Sequence, residues 1–302
     1  MPELPEVENV ARALQQSLLG RQLTAVEVRW SGVLSQTPGE LRRAVVGKTL
    51  SGIHRHGKYL LLHFRGGRRR RSRSVPGAAP RGAEKSAAAY LMIHLRMTGQ
   101  LFARPGYRPD KHVHLVLDFE GLRVYYRDIR KFGRFTLVEH GSSPRALSHV
   151  GPDFLAIRFR EWHPLVASRH APIKSVLLDQ RTGAGLGNIY ADEALHRAGI
   201  HPALAPADLD REELRRVLRS AKAVLRQAIR HGGTTYLSFV DFQGRPGNFR
   251  DKLRVYGRTG DACRTCGTVI AREVLGGRSS HYCPRCQPFR RGKRRRNSHV
   301  DL

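Results

Sequence analysis

The first eight residues, MPELPEVE, place a proline behind the initiator methionine and carboxylates at Glu3, Glu6 and Glu8. Removal of Met1 would leave Pro2 as a free secondary amine. An α-amino group titrates near about 8, so around neutrality a useful fraction is unprotonated and can attack an aldehyde-like carbon without a separate base. Proline is equally at home in the first turn of a helix, and on these residues alone both readings stand. Near the far end, Cys263-x2-Cys266 and Cys283-x2-Cys286, separated by sixteen residues, match a two-knuckle zinc pattern with four thiolates disposed for tetrahedral coordination. Four cysteines leave no open position on the metal. The expected cofactor is therefore one structural Zn2+, holding a hairpin whose Arg272, Arg278 and Arg285 can face a phosphate backbone.

Other candidates are less specific. GAGLGN (183–188) resembles a phosphate loop but lacks the Gly-Lys-Ser/Thr ending and the strand-before, helix-after context. Asn188 falls at the expected start of a helix, where backbone amides can receive a phosphate. DIRKFGRF (128–135) reads either as a strand with charged outward positions or as a turn from which Arg130 and Phe132 enter a gap in a base stack. The fifteen histidines show no metal spacing, and His54, His56, His112 and His114 read as strand and turn residues.

The elements that must position these residues follow from periodicity. Val7, Val10, Ala11, Leu14 and Leu18 predict a helix over 6–19 with Gly20 as its stop. Strand-like runs occupy 22–30, 58–64, 89–97, 112–119, 122–128 and 132–140, with Glu120-Gly121 as a hairpin turn. Closely spaced strands without intervening helices predict an antiparallel sandwich or barrel. Residues 66–88, rich in Arg, Gly, Pro, Ser and Ala, interrupt the sheet as an expected disordered insert, either a solvated loop or an added source of phosphate affinity. After Gly151 the pattern turns helical over 173–180, 188–199 and 211–231. Asp210 and Glu213 make a capping box for the last of these, and Leu214, Val217, Leu218, Ala221, Val224, Leu225 and Ala228 form its buried stripe. A Gly-rich, aromatic-bearing loop (232–249) leads to the cysteine module, and a basic tail follows it.

The 302 residues favour about two domains. The 54 Lys and Arg against 25 Asp and Glu give a net charge of +29, which points to a polyanion: nucleic acid first, an anionic membrane surface second. Residues 66–88 hold +6 of that charge and 287–302 hold +5, leaving +18 on the rest, so the folded part is itself basic. Neither a secretory segment nor an apolar run of about 18 residues is present. The expectation is a cytoplasmic protein that does not span a membrane, in which cysteines serve metal before disulfides.

Taken together, PELPEVE, RHGKYLLL (55–62), HLRMTG (94–99), DIRKFG, IKSVLLDQ, GLGNIYADEAL, AGIHP, GGTT, VYGR and the four cysteines resemble the formamidopyrimidine-DNA glycosylases, in that family's order from residue 2 to residue 286. The resemblance implies an α+β multidomain fold. An N-terminal catalytic β-sandwich domain (1–150) precedes a helix-two-turn-helix domain (151–250) with a lesion-recognition loop at 232–249, a C-terminal β-hairpin zinc finger (251–288) and a basic disordered tail (289–302). DNA would lie in the cleft between the halves. It implies a bifunctional glycosylase and lyase that removes oxidised purines, 8-oxoguanine and formamidopyrimidines, from duplex DNA. Pro2 would be the nucleophile that forms a Schiff base, Glu3 the proton donor, Lys58 a phosphate clamp and Lys174 a second basic residue at the lesion. Met97, Arg130 and Phe132 resemble the residues that fill the hole left by a flipped base, while His112, Asn188 and Arg278 resemble DNA-gripping residues. The expected partner is damaged double-stranded DNA, bound by a monomer that associates with the nucleoid. The alternatives are an endonuclease VIII-like enzyme for oxidised pyrimidines and a zinc-finger DNA-binding protein without catalysis. Arg130 and Phe132 as a wedge, with the long 232–249 loop, favour the purine branch.

Overall fold

The structure is a computed structural model that describes residues 2–66, 88–138, 147–234, 242 and 247–290. Nearly all of the expected insert at 66–88, most of the 232–249 loop and the tail beyond 290 lie outside the described residues. The chain divides into two units, Met1–His149 with Ala228–Arg250, and Val150–Gln227 with Asp251–Leu302.

Unit 1 opens with α1 (Leu4–Leu18). This helix starts earlier than its apolar periodicity indicates, because Pro5 fits the first turn, where no intrahelical donor is needed. One antiparallel sheet contains β1 (Leu23–Val28), β5 (Gln100–Phe102), β6 (Val113–Phe119) and β7 (Leu122–Arg127), in the order β1-β6-β7-β5. The other contains β2 (Lys48–His56), β3 (Tyr59–Gly66), β4 (Ala89–His94) and β8 (Arg134–Val138), in the order β2-β3-β4-β8. Leu117 and Tyr126 of the first sheet and Leu62 and Ile93 of the second join Val10 and Leu14 of α1 in one continuous core, so the unit is a sandwich with a helix anchored into it. The expected turn at Glu120-Gly121 joins β6 to β7, with Gly121 at φ +75°.

Of the elements beyond the sequence expectation, β5 among them, two show why periodicity does not reveal them. α2 (Pro38–Val45) begins at a capping box in which the Glu40 N–H donates to Thr37 Oγ1 at 3.2 Å and the Thr37 N–H to Glu40 Oε2 at 2.8 Å. In β2 a bulge between Leu50 and Gly52 shifts the register, so that Leu50 and Ile53, three apart, both enter the core.

Unit 2 contains α3 (Phe159–Val166), α4 (Ile173–Leu178), α5 (Asn188–Ala198), most of α6 (Arg211–Arg230) and a hairpin of β9 (Ala271–Leu275) and β10 (Arg278–Tyr282). The predicted stripe of α6 is buried along its length. Its capping box is present too, with the Glu213 N–H on Asp210 Oδ1 at 2.8 Å and the Asp210 N–H on Glu213 Oε2 at 2.9 Å. Among the described residues no helix is long and apolar enough to cross a membrane.

Candidate functional site

Pro2 and Glu3 are buried immediately ahead of α1, whose Val7, Val10, Leu14 and Leu18 are sunk in the core. The Pro2–Glu3 end is thereby fixed to a rigid element. Glu6, itself 2% exposed, holds it in place twice over. One carboxylate oxygen accepts the Glu3 N–H at 2.8 Å, and the other accepts the Thr234 N–H at 2.7 Å. The turn after α6 thus closes on the N-terminus at Gly233, where the φ of +84° suits glycine and a Cβ would lie 2.7 Å from Glu6 Oε1.

Lys58 sits in the β2–β3 turn and is 6% exposed. α1 reaches this turn through Glu8, whose Oε2 pairs with Arg55 Nε at 2.6 Å, while Arg55 Nη1 donates to the Gly57 carbonyl at 3.2 Å. Burial pushes the Glu8 carboxyl up, but the hydrogen bonds from Arg55 and Arg12 outweigh it and leave its pKa below the ordinary value. The next strand contributes His94, in register with Tyr59 and edge-on to its ring at 4.5 Å. Burial first, then the charges of Arg96 and Lys58, press the His94 pKa down to about 3, so the ring is neutral and its Nδ1 accepts the Arg96 N–H at 2.9 Å.

Met97, Arg130 and Phe132 project from two loops that one residue ties together. Asp128 has no exposed surface, and its Oδ1 accepts from Thr98 Oγ1 at 2.5 Å and the Arg130 N–H at 3.2 Å. Its Oδ2 accepts from Tyr126 Oη at 2.9 Å and the Gly133 N–H at 2.8 Å. Arg130 and Phe132 are exposed, with the guanidinium 4.7 Å from the ring centroid, while Met97 is half-buried. The His112 carbonyl accepts the Asp128 N–H at 2.9 Å, placing His112 beside the root of the same loop. Within unit 1 the bonds of Asp128 therefore hold Arg130, the His112 backbone, and Thr98 and Gly133, the chain neighbours of Met97 and Phe132.

In unit 2, Asn188 opens α5 and Arg278 is exposed at the start of β10. Lys174 on α4 is fully enclosed, its ammonium 2.7 Å from Asp192 Oδ1 and bonded to the Ser279 carbonyl next to Arg278. Asp192 Oδ2 also accepts from the His281 N–H and ring Nδ1 at 2.9 and 3.0 Å. Adjacent Glu193 accepts the backbone N–H groups of Arg254, Val255 and Tyr256 at 2.9–3.0 Å. Burial raises the Glu193 pKa, against the pull of those three donors. The sulfurs of Cys263, Cys266, Cys283 and Cys286 all lie within 4.8 Å of one another, with neighbouring pairs at 3.4–3.9 Å. A tetrahedron with Zn–S bonds of about 2.3 Å has edges of about 3.8 Å, so the four thiolates fit a zinc ion that would pin the β9–β10 hairpin.

Sequence reasoning passed over Glu6 as a bridge and Asp128 as an organiser. Glu6 carries no local signal for its partner, since Thr234 is 228 positions away. Asp128 did carry one: an aspartate at the head of a turn can accept the backbone N–H two residues on, here that of Arg130.

Three family models match successive stretches of the chain. They are the formamidopyrimidine-DNA glycosylase N-terminal domain over residues 1–135, the formamidopyrimidine-DNA glycosylase H2TH domain over 150–239, and the zinc finger found in FPG and IleRS over 260–288. A formamidopyrimidine-DNA glycosylase from Heliobacterium modesticaldum is 40% identical over 297 residues, which cover 95% of this chain and 100% of the relative. A mutant Lactococcus lactis FPG crystallised with Fapy-dG-containing DNA matches with a TM-score of 0.82 at 31% identity, over 95% of this chain and 100% of that one. The wild-type Lactococcus lactis FPG with an oxidised-pyrimidine-containing DNA matches at 0.81 and 31%, with the same coverage.

Proposed function

The chain belongs to the formamidopyrimidine-DNA glycosylase family, and from that premise we propose how its own residues divide the work. It is a base-excision repair DNA glycosylase with AP lyase activity, acting on oxidised purines in duplex DNA. Its four cysteines hold one structural Zn2+.

The Pro2 nitrogen attacks C1′ of the damaged nucleoside, forming an N–C1′ bond as the bond to the base breaks. Glu3 delivers a proton to the sugar oxygen as the ring opens, leaving an iminium. That cation acidifies the C2′ proton, whose loss expels the 3′ phosphate; the unsaturated iminium then acidifies the C4′ proton, whose loss expels the 5′ phosphate. Reaching C1′ requires the nucleotide to leave the stack at a cost of a few kcal/mol, which Met97, Arg130 and Phe132 offset by filling the gap. Lys58, His112, Asn188 and Arg278 hold DNA along its backbone. Enclosed as it is, Lys174 serves the lesion by fixing the hairpin beside Arg278.

One observation carries this reading: Pro2 is buried at the head of α1 and locked there by the Glu6 carboxylate. Borohydride reduction with 8-oxoguanine DNA tests it. The intact protein is expected to form a covalent adduct, Glu3→Gln to lose base excision, and protein with an uncleaved N-terminal extension to form no adduct. Intact-mass spectrometry reports whether Met1 is gone. Failure of the processed protein to trap would favour a binding-only protein. The oxidised-pyrimidine complex of the Lactococcus relative gives the second reading its weight. Faster excision of thymine glycol than of 8-oxoguanine opposite cytosine would move the substrate to that class. The enzyme acts as a cytoplasmic monomer in this proposal, and light scattering of the free protein checks the mass.

A further inference from the structure

The zinc module is attached to α5 by more than packing. Asp192 and Glu193 bind its backbone at His281 and at 254–256, and Gln287 donates to the Ile200 carbonyl at 2.8 Å while accepting the Cys283 N–H at 3.0 Å. One helical turn beyond Asp192 on the same helix, His196 is 8% exposed, and its Nε2 lies 3.7 Å from Cys263 Sγ. Other N–H contacts to the thiolates come from within the module, from Thr265 to Cys263 Sγ and from Cys286 to Cys283 Sγ, both at 3.4 Å. Among the described residues, His196 is the side chain that reaches a zinc-binding sulfur from a helix outside it.

We propose that His196 donates its Nε2–H to the Cys263 thiolate, so that α5 helps retain the zinc and the metal in turn braces the helix that opens at Asn188. Four thiolates give the Zn2+ centre a net charge of −2. A hydrogen bond on one sulfur disperses that charge and makes the sulfur a poorer target for protons and competing metals. Partners of metal ligands at this remove change metal affinity by about 10–100-fold when lost. A sulfur with its lone pairs in a buried site accepts, and the imidazole must then carry its proton on Nε2. The inference concerns the metal's support and does not depend on which residue performs the excision chemistry.

The test uses the full-length zinc-loaded protein, His196→Phe and His196→Gln. Phenylalanine fills the volume without a donor, while the glutamine amide can place an N–H near the position of Nε2. Zinc transfer to a chromophoric chelator is expected to be at least about 10-fold faster from His196→Phe, with His196→Gln close to the parent. The sulfur-to-cobalt charge-transfer band of the Co2+-substituted protein should shift in the phenylalanine variant only. Equal release rates and unshifted bands in both variants would overturn the proposal and leave His196 as a packed core residue. Should His196→Phe fail to fold, nitrogen NMR of the unaltered protein still decides. A proton on Nε2, coupled to the metal in a 113Cd-substituted sample, supports the bond, and a proton on Nδ1 refutes it.

Discussion

Four donors converge on the carboxylate of Asp128, from Thr98, Tyr126, Arg130 and Gly133, and no solvent reaches it to replace any that are lost. Burial and the nearby Asp128 charge push the Tyr126 phenol pKa up, which keeps its O–H in the donor role. Asp128→Asn turns an acceptor into an N–H2 facing these donors, at about 1–3 kcal/mol for each group left unpaired. We expect a lower urea midpoint and, because Arg130 and Phe132 lose their anchorage, single-turnover excision slower by more than about 10-fold; unchanged excision would separate Asp128 from the wedge. Gly133 admits no substitute, since a Cβ would stand 1.6 Å from Tyr126 Oη. His94 gives a prediction of different kind. The folded ring protonates only near pH 3, whereas the unfolded one takes its proton near 6.5, so between these values the unfolded state binds more protons. Stability should therefore fall as pH drops below about 6.5, by up to about 1.4 kcal/mol per pH unit. Urea unfolding at pH 7 and 5.5 should show a smaller loss for His94→Gln than for the parent, and equal losses would assign the slope to other groups.

Between elements, the tie that matters most joins the head of α1 to the turn after α6. Glu6→Gln keeps the shape but replaces one acceptor oxygen, so either the Glu3 or the Thr234 N–H loses its partner, at about 1–3 kcal/mol. Adduct formation by Pro2 should slow while affinity for lesion DNA stays near the parent value. A fall in affinity with an unchanged trapping rate would show that Glu6 supports binding and not the nucleophile. This tie marks the limit of what the sequence discloses. Val7 to Leu18 announce α1 by spacing, and the two Cys-x2-Cys knuckles announce the metal, because each signal is complete within a few turns of chain. β2 is not legible in that way: the bulge at Gly52 breaks the two-residue period, and Leu50 and Ile53 look like neither strand nor helix. α2 was readable from Thr37 and Glu40, whose capping box precedes a short apolar pattern that periodicity alone passes over. Glu6 to Thr234, Asp192 to His281 and Glu193 to the 254–256 backbone join residues far apart in sequence, and nothing local prescribes them.

For the molecule as a whole, charge is the property that reaches furthest. Residues 67–87 hold seven basic groups and Glu84, and residues 291–302 hold five and Asp301, so these two stretches account for +6 and +4 of the +29 and leave +19 on the rest. A basic remainder of that size attracts DNA wherever the lesion lies, and each phosphate neutralised releases counterions, steepening the fall of affinity with salt by about 0.9 per contact. If the two stretches add phosphate contacts, the full chain and a variant lacking both differ in slope, not only in intercept. Duplex binding followed from about 50 to 300 mM salt is expected to give a shallower line for the shortened chain, by at least about two contacts. The lines should converge at high salt, where electrostatic attraction is screened. Preference for lesion over undamaged duplex should persist, because the proposed wedge and nucleophile belong to the retained residues. Parallel lines would remove the stretches from DNA binding and leave the +19 of the remaining chain to account for all of the salt dependence.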